Sequence, residues 1–467
     1  MDGVRAMNAN IMLTAGDAAK LLGAICLHGD AGFTGVATDS RSIMRGELFV
    51  ALKGENFDGH AYVGAAQAQG ASAALVAHEV KTSAPIPQII VGDTLLALGQ
   101  LAKIWRGRFN IPVLALTGSN GKTTSKEMLR SIMIAHHGSA ERVLATEGNL
   151  NNNIGLPLTM LRLNATHKVA VFELGMNHLL EIDYLTRLAE PTIALIIGAG
   201  TAHIGELGSR EAIAQAKGEI FAGLQPDGIA VINMHDRFGS YWRGLVEKQP
   251  GHHPVVGFGI AAEDNVAGEF VAEALTIRHA GESVIVHLQV AGEHNQRNAL
   301  AAAAGAIALA VPLATIRTGL ENFAGVAGRL RAFEGHQKAT IIDDTYNANP
   351  DSVRAAIDVL RAKPGKRFLV LGDMGELGSG ARAMHSEIGL YAKHANLDGV
   401  YTLGALTEAT VISLGVSGWH FEQIDDLVAA ITPLLAANVT VLVKGSRFMK
   451  MERVVEKLVP QYAGALH

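Results

Sequence analysis

The segment VLALTGSNGKTTSKEML, Val113 to Leu129, sets the frame for the rest of the chain. The apolar run Val113–Leu116 reads as a buried strand, Thr117–Gly121 as a tight turn, and Thr123 onward as a helix. A strand, turn and helix in that order aim backbone N–H groups and the helix N-terminus at an anion. Gly121-Lys122-Thr123 is the ending of a phosphate-binding loop, in which the lysine reaches the β- and γ-phosphates and the hydroxyl reaches Mg²⁺. The usual loop has a glycine five places before Gly121, and that place holds Leu116. The loop is short, not broken, and its cradle is Gly118, Ser119, Asn120, Gly121, Lys122, Thr123 and Thr124, with ATP as the expected nucleotide.

Working outward, strands and helices alternate. The runs VLALTG, VAVFEL, TIALIIG and GIAVIN are bounded by turn residues and separated by helical stretches such as 123–135 and 209–224. That alternation predicts a mainly parallel sheet with helices on both faces. ESVIVHLQVAGEHNQRNALAAAAGAIAL closes the unit with a β-rich piece and an alanine helix. Upstream, GELFVALKG and GASAALVAHE each carry a strand, and TLLALGQLAKIWRGRF has helical spacing with a basic end. Downstream, TIID, RFLVLG, GVYTLG and VTVLVKG read as a second set of strands. In NANPDSV, Asn349 suits an N-cap, Pro350 the first helical position and Asp351 the first turn. Breaks near Phe109 and between Gly328 and Gly335 give the expected α/β architecture of three domains. These are a small N-terminal α/β unit over 1–109, a central P-loop parallel-sheet unit over 110–329, and a Rossmann-like unit over 330–467.

Composition agrees with a multidomain globular protein. The 467 residues exceed what one core organises, and 49% hydrophobic with 18% charged residues is an ordinary balance. The net charge of −5, with no block of like charge, argues against nucleic acid as a partner. Cys26 is the single cysteine, which excludes an intramolecular disulfide and fits a reducing compartment. Asp2, Arg5, Asp17 and Lys20 interrupt the apolar residues at the start, so no signal peptide is expected there. Ala299–Ile316 is uncharged over 18 residues, which reaches transmembrane length. Its alanine content, with Gly305 and Pro312, predicts one buried, closely packed helix instead. A cytoplasmic protein with no membrane insertion follows.

Several residues could carry chemistry. Glu173 falls at a strand end, where ligands bind in open α/β sheets, and a carboxylate beside a triphosphate suits Mg²⁺; a salt-bridged surface glutamate is the plain alternative. His203 reads by itself as a hydrogen-bonded loop histidine, and Lys217 as a helix lysine that snorkels to water. Asn149, Asn151, Asn152 and Asn153 form a polar turn or a substrate-binding loop. Asn295 and Asn298 cap the alanine helix or read an adenine edge. Arg329 and Arg331, near the second break, close onto a phosphate or pair with a carboxylate. Asp343 and Asp344 end a strand, where an acid can hold ribose hydroxyls.

Taken together, the short loop TGSNGKTT, then FELG, a downstream histidine, AKGEIF, HNQRNALAA and GRL resemble the Mur ligases. These are ATP-dependent amide-forming enzymes of peptidoglycan synthesis. The resemblance runs from TDSRSIMRGELFVALKGENFDGHAYV to LVKGSRFMKMERVV. Within the family, DDTYNANPDS and LVLGDMGELG look like the branch that adds D-alanyl-D-alanine to UDP-N-acetylmuramoyl-tripeptide. The sister branch usually carries Asp-Tyr-Ala-His-Thr-Pro where this chain has Asp344-Thr345-Tyr346-Asn347-Ala348-Asn349-Pro350.

The resemblance implies roles residue by residue. Lys122 would bind the ATP phosphates, Thr123 and Glu173 would serve one Mg²⁺, and His203 a second. Lys217 matches the family lysine that CO₂ carbamylates beside that metal. Asn298 would contact adenine, Asp344 the ribose, and Arg329 the γ-phosphate after domain closure. Ser40 and Arg41, with GENFDGH, match the N-terminal region that receives the UDP-sugar end. Asn149 and Asn152 would face the substrate, and Asn347, Asn349 and Ser352 would contribute to the D-Ala-D-Ala pocket. The N-terminal domain would hold the UDP-substrate and the C-terminal one the incoming amine, in a monomer. Two departures stand out, both affecting local hydrogen bonds and not the reaction class. Gly198 stands where asparagine is frequent, and Gly205 where an acidic residue is more usual.

Overall fold

The computed structural model describes residues 11–271 and 274–462. Asp2 and Arg5, used in the argument about the chain's start, lie outside the described residues. So do the outer ends of the first and third expected spans.

Among the described residues, three larger sheets organise the chain. The first has five strands in the spatial order Ile25–Leu27, Gln88–Ile90, Ala73–Val76, Leu48–Val50 and Val36–Ala37. All its pairings are parallel except the first. Helix Thr94–Arg106 starts at Asp93, whose carboxylate accepts from the Leu95 and Leu96 N–H groups. Its last turn locks onto the next unit: buried Arg106 donates to the Ala189 carbonyl at 3.0 Å, and Trp105 donates to the Leu163 carbonyl at 2.9 Å.

The central sheet places Val113–Thr117 between Ile193–Ile196 and Val169–Glu173, all parallel. Val143–Ala145 closes one edge, and Ile229–Asn233, Val255–Gly259 and Val266–Val271 extend the other. Two antiparallel strands, Ala274–His279 and Glu282–His287, complete nine. Strands covered on both faces read as unbroken apolar runs, which is why VLALT and VAVFE stood out. Helices Lys122–His137 and Glu293–Ala308 pack on one face, and Glu181–Ala189 and Arg210–Gly218 on the other. The single helix expected over 299–316 is instead two, Glu293–Ala308 and Leu313–Glu321. Pro312 has no N–H to continue the first and supplies an extended N-cap to the second. Burial was read correctly: Ala299, Ala301, Ala302, Ala303 and Ala304 are fully covered. Among the described residues no helix is long and apolar enough to cross a membrane.

The third sheet has six strands in the order Arg331–Glu334, Thr340–Asp344, Val439–Lys444, Lys366–Gly372, Gly399–Leu403 and Gly418–Phe421. It is parallel apart from its first pair. Helix Pro350–Arg361 begins as expected, with Asn349 as N-cap, Pro350 at the first position and Asp351 in the first turn. Ser352 adds the reciprocal half of a capping box.

Candidate active site

The phosphate loop is built as strand, turn and helix. Gly121 sits at φ 78° as the N-cap of Lys122–His137, and a Cβ there would overlap the Asn298 side-chain oxygen. Only glycine meets both demands. The Lys122 ammonium donates to the Gly118 carbonyl at 2.9 Å, folded over its own loop. Burial pushes its pKa down, Glu173 opposes that shift, and the Arg329 charge adds to it. Ser119, Thr123 and Thr124 are buried around the turn, and the Ser119 Oγ has no hydrogen-bond partner among the described residues.

Glu173 ends its strand at 2% exposure. Its N–H donates to Thr146 Oγ1 at 3.0 Å, and its Oε1 accepts from the Asn151 amide at 2.8 Å. The other carboxylate oxygen is buried without a hydrogen-bond partner. A buried, orphaned carboxylate oxygen beside a phosphate cradle fits a hard cation. This excludes the surface salt-bridge reading of Glu173. Among the described residues no three His, Cys, Asp or Glu side chains cluster to hold a metal alone. Mg²⁺ characteristically completes its shell with phosphate oxygens and water.

The residues expected at two metal sites are spread out. Thr123, Glu173 and His203 line one cavity, whereas Lys217 does not. Lys217 is 1% exposed on helix Arg210–Gly218, so it does not snorkel to water. Its pKa is pushed well down, first by burial and then by the Lys122 charge. His203 takes the left-handed conformation at φ 63°, with Nδ1 2.8 Å from Glu376 Oε2. Glu376 belongs to the third sheet's loops, and the neighbouring imidazole holds its carboxyl below the usual range.

Two cavities meet at the loop. The larger, about 1150 Å³, draws Leu95 and Leu96 from the first unit, Lys122, Asn149 and Asn152 from the second, and Asn347, Asn349 and Ser352 from the third. The smaller, about 370 Å³, is lined by Thr124, Asn295, Asn298, Arg329, Asp344 and Lys444. Asn120, Gly121 and Arg329 line both. Asn295 and Asn298 lie inside helix Glu293–Ala308, whose N-cap is Gly292, so neither caps it. Arg329 lays its guanidinium 4.1 Å from the Tyr346 ring centroid, and its Nε is buried without a hydrogen-bond partner. Asp344 is paired at 2.7 Å with buried Lys444, which also donates to the Asn347 carbonyl. Sequence reading missed Lys444, although a lysine closing an apolar strand is its visible signal. Asp343 is occupied by Thr345 and Tyr462.

Several expected side chains have structural partners. Asn152 caps its own turn by accepting from the Ile154 and Gly155 N–H groups, while Asn151, from the same asparagine-rich stretch, holds Glu173. Asn349 and Ser352 hydrogen-bond each other in the capping box, and the Asn349 amide reaches Asn120 Oδ1 at 2.8 Å. Asp351 accepts from the Thr201 N–H and hydroxyl at 2.8 and 2.9 Å. Ser40 and Arg41 line neither cavity, and exposed Arg41 pairs with Asp39. Both glycine departures have steric reasons. A Cβ on Gly198 would press on the Asp236 carboxylate, which accepts from the Ala199 N–H. One on Gly205 would overlap the Gly378 backbone, where the Gly205 N–H donates to the Glu376 carbonyl at 3.0 Å.

Comparison with known proteins gives the same picture over most of the chain. Three family models match in succession: "Mur ligase family, catalytic domain" over residues 32–106, "Mur ligase middle domain" over 116–306, and "Mur ligase, glutamate ligase domain" over 328–447. The chain is 43% identical over 431 residues to the UDP-N-acetylmuramoyl-tripeptide--D-alanyl-D-alanine ligase of Haemophilus influenzae, covering 91% of this chain and 93% of that one. Its fold is similar to MurF from Acinetobacter baumannii, with TM-score 0.88, 36% identity, and 96% and 98% of the two chains covered. It is also similar to the Thermotoga maritima MurF ligase in complex with ADP, with TM-score 0.77, 27% identity, and 91% and 96% covered.

Proposed function

The chain belongs to the Mur ligase family, and from that premise we propose that it joins D-alanyl-D-alanine to UDP-N-acetylmuramoyl-tripeptide at the expense of ATP. The observation that carries this reading is the phosphate loop opening directly into a cavity walled by all three units. A carboxylate is a poor electrophile with a poor leaving group. The γ-phosphoryl group of ATP therefore passes to an oxygen of the tripeptide's terminal carboxylate, and ADP leaves. The deprotonated amine of the dipeptide then forms the new C–N bond to that carbon, and the C–O bond to phosphate breaks. The products are the pentapeptide precursor, ADP and phosphate.

The chain's own part is positioning and charge. Lys122 and the loop N–H groups hold the phosphates, Asn298 faces the base, and Asp344 faces the ribose. Arg329, which lines both cavities, reaches the transferring group. Thr123 and Glu173 would hold Mg²⁺, which neutralises phosphate charge when bound, and His203 would serve a second such ion. Lys217 carries a carbamate: its buried, depressed amine favours the neutral form that reacts with CO₂. Seating of the third unit excludes the water that would hydrolyse an acyl phosphate. The spans 1–109, 110–329 and 330–467 correspond to UDP-substrate, ATP and amine binding, in a cytoplasmic monomer.

The test incubates the protein with ATP, Mg²⁺ and UDP-N-acetylmuramoyl-tripeptide, with and without D-Ala-D-Ala. Phosphate release that depends on the dipeptide, with a product of pentapeptide mass, is expected. Release that ignores the dipeptide, with no new mass, would overturn the acceptor.

A further inference from the structure

D-Ala-D-Ala arrives as a zwitterion, so one end is a carboxylate that takes no part in bond formation. The large cavity is hostile to it, because Glu147, Glu173, Glu181 and Glu376 all line that space. A free carboxylate enters such a site only beside a dedicated cation. Among the described residues the cationic lining is Lys122, Arg329 and Arg447, together with His203. Lys122 is folded onto the phosphate loop, and Arg329 stacks on Tyr346 where the two cavities join. Arg447 lines the large cavity alone, on the wall made by the third unit.

Its surroundings hold it ready. Arg447 Nη1 donates to Glu452 Oε1 at 3.1 Å, and Glu452 is its one side-chain hydrogen-bond partner among the described residues. A guanidinium has five N–H donors, so most remain for a ligand. The Arg447 side chain is 43% exposed while the glutamate beneath it is only 20% exposed, so the fork is held from the protein side and open to the cavity. The adjoining residue, Ser446, ties the wall together. Its hydroxyl accepts from the Gly375 N–H at 2.7 Å and donates to the Ala348 carbonyl at 3.1 Å. Three loops of the third unit are thus fixed around Arg447. A planar fork on a rigid wall suits bidentate capture of a carboxylate.

We propose that Arg447 recognises the C-terminal carboxylate of the incoming dipeptide and makes a free C-terminus a requirement for the acceptor. This rests on the reading of D-Ala-D-Ala as that acceptor. Arg447 is a specificity residue here and takes part in neither proton nor phosphoryl transfer.

The experiment compares D-Ala-D-Ala with D-alanyl-D-alaninamide as acceptors for the full-length wild type, Arg447→Gln and Arg447→Lys. The wild type should prefer the free acid by about 10–100-fold in kcat/KM, the value of a charge-assisted hydrogen-bonded contact. Arg447→Gln should use acid and amide nearly equally, through a raised KM for the acid. Its KM values for ATP and UDP-tripeptide should match wild type, which also reports that it is folded. Arg447→Lys should keep part of the preference. A wild type that uses both acceptors equally would overturn the proposal, as would an Arg447→Gln enzyme that keeps the full preference or loses affinity for all three substrates alike. A wild type that ligates neither acceptor would instead sink the underlying function.

Discussion

At the scale of single residues, Lys217 has the sharpest consequence. A lysine at 1% exposure, with its pKa pushed well down by burial and then by the Lys122 charge, is biased toward the neutral amine. Neutral amines react with CO₂, and the proposed carbamate would replace that amine with an anion that the Lys122 charge attracts. Lys217→Ala should therefore lose most activity, by about 10²-fold or more if it removes one charge stabiliser of the transition state. Small carboxylic acids should restore part of that loss by occupying the vacated volume. Steady-state rates with and without added acetate or formate test this, and full activity without additive would remove the carbamate. Glu173 illustrates a different lesson. Its place at a strand end was legible because a strand end is local, but Asn151, which holds one of its oxygens, was hidden among four closely spaced asparagines that look alike in sequence.

At the scale of elements, the loop after strand Lys366–Gly372 is held by His385. Its Nε2 accepts from the Met374 N–H at 3.0 Å while Nδ1 lies 2.7 Å from the Ala381 carbonyl, so the ring is neutral with its proton on Nδ1. Burial lowers the His385 pKa, with the Ala381 carbonyl and Asp373 opposing that shift. The unfolded chain then binds the proton more readily than the folded one. This contribution to stability is complete above the ordinary histidine value of about 6.5 and is lost as pH falls toward the lower folded value. Denaturant midpoints between pH 7.5 and 5.5 should fall less steeply in His385→Gln than in wild type. Identical slopes would contradict the assignment.

Elements were legible where their signal was local. Asn349-Pro350-Asp351 announced a helix start because capping needs only neighbours in sequence. The strands Arg331–Glu334 and Gly418–Phe421 were not legible, because each is an edge defined by the strand it pairs with. The break at Pro312 could have been read, since proline ends an α-helix by its own chemistry.

At the scale of the whole molecule, the contacts between the second and third units include Asn120 with Asn349, Thr201 with Asp351, and both Gly205 and His203 with Glu376. None of these pairs is visible from sequence, since each joins residues more than a hundred positions apart. Gly205 is the contact with no room to spare. Gly205→Ala should hold the third unit away, lowering kcat/KM by tenfold or more in the ~1.4 kcal/mol sense of a lost closing contact, with ATP binding weakened but still detectable at the loop. Scattering should find a larger radius of gyration than wild type in the presence of nucleotide. Wild-type turnover with wild-type dimensions would exclude a role for this seam.

The smaller cavity is a composite, with Thr124 and Asn298 from the central unit facing Asp344 and Lys444 from the third. A nucleotide seated there acts as a rivet through two plates. At a hundred times its dissociation constant it adds about 2.7 kcal/mol, and that sum is forfeited whichever plate melts first. The thermogram should thus pass from separable transitions in the bare protein to a single merged one as ADP is titrated in.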